Sequence, residues 1–284
     1  MFATQRTLPR GQLLRPYPQF GNIRAHRATE ARAQYNALTL GAERRQHAGW
    51  GLRANYTFSV RKDNQVGESN AFSVSTQGAV DNFDLEREFG YSLIDTPHRL
   101  NISGTFELPF GVGKRWLSRA GPVASILGGW AVSAVGSYQS GFPIAVVQSV
   151  NPAFAFGFGQ RPNVVTTVAP RRPGSPEDNY DVSCSCIRWL DPAAWSAAPA
   201  FTIGDAPRTD VRARTPIRKN WDIALQNTHA IGGSRVTLRA ELINVFDDPA
   251  FFGPRVGYGT TTFGQLAGVG GFPRTLQLSA RVAW

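Results

Sequence analysis

Trp50-Gly51-Leu52-Arg53-Ala54-Asn55-Tyr56-Thr57-Phe58-Ser59-Val60-Arg61 decides the fold. Trp50, Leu52, Ala54, Tyr56, Phe58 and Val60 fall on one parity, and Gly51, Arg53, Asn55, Thr57, Ser59 and Arg61 on the other. Successive side chains of a strand point to opposite faces, so this is a strand with one greasy and one wet side. About nine to eleven tilted residues are enough to cross a bilayer as a strand.

The same reading extends along the chain. Arg99 to Phe110, Trp130 to Gln139 and Val236 to Phe246 alternate in the same way, with Asn244 interrupting the last as a bulge or an early end. Asn36 to Arg44 and Trp221 to Ile231 are weaker, because Asn227 and His229 sit on the apolar parity of the second. An interfacial position or a register break is expected there. The last strand is Thr275 to Trp284, where Leu276, Leu278, Ala280, Val282 and Trp284 share one face. On the opposite parity, Arg53, Arg61, Arg99, Glu107, Arg239, Glu241 and Arg281 are expected to face an aqueous lumen, where an ion-pair lattice suits them better than ligand contact.

Connections alternate in length. Arg45 to Gly49 and Gly232 to Ser234 are short and Gly111 to Gly129 is intermediate. Lys62 to His98, Ser140 to Asn220 and Asp247 to Arg274 are long. Membrane barrels of the outer-membrane type have short periplasmic turns and long external loops. With the C-terminus periplasmic, Trp50, Phe110, Trp130 and Trp284 mark one aromatic girdle, and Tyr138, Trp221 and Phe246 the other. A soluble β-sandwich also alternates but has no reason for such banding or such unequal loops.

Composition agrees. The 284 residues are 42% hydrophobic, and the mean hydropathy of −0.23 is what alternating faces average to. No apolar run reaches the roughly 18 residues of a membrane helix. The opening residues lack a signal-peptide pattern, so the functional protein is expected to start upstream. The charge of +10 is almost all arginine and is scattered, without a nucleic-acid motif. Cys184 and Cys186 lack zinc spacing and read as a loop pair, although a bond over that separation is geometrically awkward. No nucleophile elbow, metal-hydrolase motif or phosphate loop is present. An enzyme would have to rely on a Ser–His pair such as Ser92 and His98. No enzyme, cofactor or metal is therefore expected.

Several stretches resemble the barrel of TonB-dependent outer-membrane transporters, in particular the Oar-like subgroup. They are Leu13 to Phe20, Tyr35 to Leu38, Ala54 to Ser59, Pro97 to Asn101, Leu108 to Gly111, Gly128 to Trp130, Tyr138 to Pro143, Arg239 to Asp247 and the terminal strand. They occur in the family order over nearly the whole chain. The resemblance implies a barrel of about 22 strands with a plug, importing a ligand with energy passed by TonB. No plug or TonB-contacting segment is seen. The expectation is thus an all-β, antiparallel transmembrane barrel, partial, of seven to eight C-terminal strands. Residues 1–34 would be an external-loop-like segment and 35–284 barrel. Expected partners are outer-membrane lipid, the assembly machinery, the missing plug and remaining strands, and TonB, but no nucleic acid. The terminal strand resembles the assembly signal of such barrels. Closure into a small independent barrel (porin-like or enzymatic), with an eighth strand from Pro143 to Val150 or the N-terminus, is the alternative, and a soluble glycan-binding sandwich is another.

Overall fold

The computed structural model describes residues 7, 10–13, 17–20, 30–65, 78–81, 84–119, 121–150 and 160–284. Most of the segment 1–34 therefore lies outside the described residues.

Seven long strands occupy the alternating stretches: β1 (Ala33–His47), β2 (Trp50–Asp63), β3 (His98–Glu107), β4 (Trp130–Gln139), β5 (Arg218–Ile231), β6 (Ser234–Ile243) and β7 (Thr275–Ala283). They follow one another in a single antiparallel meander in chain order. Register keeps an unbroken apolar row from β2 to β7. Leu52 pairs with Gly104, Gly104 with Ala134, Ala134 with Ile223, Ile223 with Leu242 and Leu242 with Leu276. A slip of one residue would send the apolar set to the other face, so this continuity is what holds the register.

Among the described residues, no second layer covers the apolar face. Leu40 is 57% exposed, Leu238 47% and Leu278 72%. A sandwich would interdigitate these side chains with a facing sheet. A band this wide left open to solvent is a surface made for lipid.

Local chemistry sets the strand ends. Gly232 and Gly233 both have positive φ, 55° and 88°, as the two-residue turn between β5 and β6 requires. Asn244 ends β6. Its backbone is left-handed (φ 51°), its Oδ1 accepts from the Asp248 amide at 2.9 Å, and its Nδ2 donates to the carbonyls of Asp248 and Phe272. The interruption at Asn244 is thus an early end. Asn227 causes no register break, because the pairing of β5 with β6 runs unbroken from Ile223 to Ile231. Instead Asn227 is buried and donates to the Gly128 carbonyl at 2.7 Å. At Gly136 the Trp221 indole lies so close that a Cβ would come within 2.7 Å of the ring.

The expected strand count and the partial barrel need correction. The described residues hold eighteen strands, not seven or eight. The additional ones are two to five residues long and lie mostly in the long connections. A bridge of two residues has no period to read, so alternation cannot reveal it. The proposed eighth strand is also corrected. Pro143–Ile144 pairs with Asp210–Arg214, and Val147–Gln148 pairs in parallel with Gly257–Tyr258. Both pairings lie inside the loops and add nothing to the sheet.

Candidate functional site

The first part of the site is the polar face of the sheet. Arg53 pairs with Glu43 at 3.0 Å, and Glu107 with Lys114 at 2.6 Å. Arg239 pairs with Glu241 at 3.0 Å and Arg99 donates to Gln139 at 3.3 Å. Arg61 is held through its backbone amide, which donates to the Asp95 carboxylate at 2.8 Å. Arg281 lies on β7 opposite Thr237. The seven expected charged residues therefore share the polar parity, but they are spread over the sheet and do not converge on one point. Such exposed pairs contribute about 0–1 kcal/mol each, so they keep the wall wet more than they hold it together.

The second part is a folded cap built from the long connections. Ile144, Val146, Trp189, Leu190, Ala194, Trp195, Ala213 and Phe263 form one hydrophobic cluster. Phe263, from the last long connection, meets the Trp195 ring edge-on with centroids 5.5 Å apart. The Tyr258 hydroxyl donates to the Trp195 carbonyl at 3.0 Å. These connections hence have a core of their own, which a plain loop lacks.

Buried ion pairs fasten the cap to the connection between β2 and β3. Arg208 is almost wholly buried. It pairs with Asp63 at 2.5 Å and also donates to the carbonyls of Asp63, Gln65, Glu88 and Tyr91. Arg161 pairs with the fully buried Glu88. Burial pulls the Arg161 guanidinium below its usual pKa, and the Glu88 charge acts against that shift. Arg214 pairs with Asp95 at 2.7 Å. A charge taken out of water is tolerated only with such full pairing.

One cavity lies where cap and sheet meet, and a second lies beside it in the cap. The first, of about 530 Å³, is lined by polar wall residues, among them Arg99, Asn101, Ser137 and Asn220, and by Asn244 and Phe272. The other, of about 740 Å³, lies within the cap beside Trp189. Lys219 and Asp248, ion-paired at 2.8 Å, line both.

All nine residues of β7 are exposed, and Trp284 beyond it is 97% exposed. Among the described residues β7 has only β6 as a neighbour. Cys184 and Cys186 are bonded to each other in an exposed turn, so the awkward separation is bridged. Ser92 and His98 do not form a pair. The Ser92 Oγ accepts from the Ile94 amide, whereas His98 Nδ1 lies 2.7 Å from the Tyr56 hydroxyl. The ion pairs Arg208–Asp63 and Arg161–Glu88 escape the sequence reading, because their partners lie 73 to 145 positions apart.

Comparison with known proteins completes the site. The sequence profile of the family described as "Outer membrane beta barrel domain" matches residues 3–277. No curated protein matches the chain. One domain thus runs through almost all of the sequence. That overturns the reading of a seven- to eight-stranded remnant whose missing strands would be its partners.

Proposed function

We propose a selective uptake role for this chain, which belongs to the outer membrane beta barrel domain family. It is an outer-membrane β-barrel protein of a Gram-negative bacterium, a transport or structural barrel and not an enzyme. In our reading the short turns face the periplasm and the cap faces outside. The cap meets the ligand, and the face carrying Arg53, Arg61, Arg99, Glu107, Arg239, Glu241 and Arg281 lines the wet path inward.

The observation that carries this reading is the cap itself. A long connection with its own hydrophobic cluster, fastened by buried ion pairs above a polar wall, is a preformed recognition surface. The resemblance to TonB-dependent transporters supports the finer reading, that inward movement is driven through TonB. Passive, porin-like passage is the second reading. The family description, an outer-membrane β-barrel domain, fits it.

Whole-cell accumulation of labelled solutes separates the two. Accumulation that disappears in cells lacking TonB supports driven uptake. Passage that persists in those cells, and in protein-bearing liposomes, supports the porin-like reading. If neither assay shows passage above empty controls, both readings fail.

A further inference from the structure

The 740 Å³ cavity in the cap is within the size range of small-molecule sites, about 300–1,000 Å³. Part of its wall is apolar, with Trp189, Ile217 and Phe251. Trp189 and Phe251 are buried, whereas Ile217 remains 50% exposed. Ile217 is an aliphatic side chain left open beside a cavity.

Most of the charge around it is already used. Arg212 grips Asp210 with two nitrogens, Arg214 holds Asp95, Lys219 holds Asp248, and Asp247 accepts from the Arg274 amide at 3.1 Å with the Arg274 guanidinium 4.0 Å away. Two lining groups remain, one of each sign. Arg171 lies over the Trp189 ring, 4.9 Å from its centroid, and donates one hydrogen bond, to the Gly174 carbonyl at 3.1 Å. No carboxylate reaches it within ion-pair distance among the described residues. Glu177 lies in a short 3-10 turn that follows this bend, and no cation reaches it among the described residues.

The chemistry of a fitting ligand follows by elimination. A simple anion satisfies Arg171 but meets Glu177 as a like charge. A cation has the reverse problem. A neutral sugar uses neither charge and gains little from Ile217 and Phe251. A zwitterion with an apolar body satisfies all three features at once. We infer that this cavity binds a short peptide with free termini and apolar side chains, its carboxylate on Arg171 and its ammonium on Glu177. The inference deepens the uptake reading and rests on it for its biological purpose, though not for the binding itself. Arginine suits the carboxylate end because its planar fork presents parallel N–H donors to two oxygens. Its stacking on Trp189 holds that fork in place before the ligand arrives.

The test uses the full chain folded in detergent and the tripeptide Leu-Phe-Leu, titrated calorimetrically beside its N-acetylated and C-amidated forms. We expect the free peptide to bind and each block to weaken binding about tenfold or more, the scale of one charge-assisted contact. In Arg171→Gln the amide and the free acid should bind alike, with the acetylation penalty kept. In Glu177→Gln the acetyl and free amine forms should bind alike, with the amidation penalty kept. Both side chains are exposed, so circular dichroism and protease fragments should match the parent. Absence of binding, blocked forms as tight as the free peptide, or penalties untouched by the substitutions would overturn the inference. Cellular uptake is read separately. Binding without uptake sinks the proposed function alone, and uptake without binding sinks this site alone.

Discussion

Arg208 shows how one residue can organise a segment far from it in sequence. Its guanidinium reaches the Asp63 carboxylate and four backbone carbonyls, so removing it strands a buried carboxylate. Breaking a buried pair from one side costs about 3–5 kcal/mol. Arg208→Met is expected to loosen the cap while the long strands remain inserted. Limited proteolysis should then cut within 160–217 at rates well above the parent, and equal cutting rates would refute this. Asp181 is a second case, with a pH signature. Hydrogen bonds from the Ser183 hydroxyl and amide, and then from Arg188, lower its carboxyl to about 2. An unfolded Asp titrates near about 3.9. Its contribution is therefore present above that value and is lost as pH falls toward 2. The Ser183 amide should exchange faster in that window in the parent. In Asp181→Ala, which has no acceptor, that pH-dependent change in protection should be absent.

At the scale of the strand, the two parities should respond differently to charge. Leu225 on β5 lies on the apolar row with Val132 and Ala240, and its neighbour Gln226 lies on the polar row with Arg239. Arginine at a lipid-facing mid-barrel position costs about 2–4 kcal/mol. Leu225→Arg should thus lower the free energy of folding into lipid vesicles, read by denaturant titration, by that much, and Gln226→Arg should change it little. Equal effects would mean that the apolar parity does not face lipid. The Gly136–Trp221 contact tests packing within the same face. Gly136→Val must displace the indole, at about 1–3 kcal/mol, and the shift should appear in tryptophan emission. Trp284→Ala is expected to reduce outer-membrane insertion if β7 is read by the assembly machinery through strand pairing, and unchanged surface levels would count against that role.

For the molecule as a whole, the meander has a direction that matters. It has an odd number of long strands, so β1 and β7 run the same way through the sheet. Neither edge has a second neighbour among the described residues. In a bilayer every backbone N–H and C=O needs a partner, because no water is there to supply one. Amide exchange in lipid vesicles reads those edges directly. Protection of β1 and β7 equal to that of β3 and β4 means that each edge is paired in the membrane. Fast exchange confined to the outward-pointing amides of β1 and β7 means that the edges stay open.

Much of this protein was already determined by residue order alone. The seven long strands, their two faces and the turn end and loop end of the sheet follow from side-chain parity and connection length, both local properties. Even Asn244, a lone polar residue on an apolar row, marked a true strand end. The cap was invisible at that level. Trp195 meets Phe263, Arg161 meets Glu88 and Arg208 meets Asp63 across separations that carry no periodic signal. Short bridges such as Asn163–Val164 with Trp195–Ser196 contain too few residues to alternate. Only the folded chain decides which distant charges become neighbours, because burial stabilises a charge once its partner has arrived and has no effect before then.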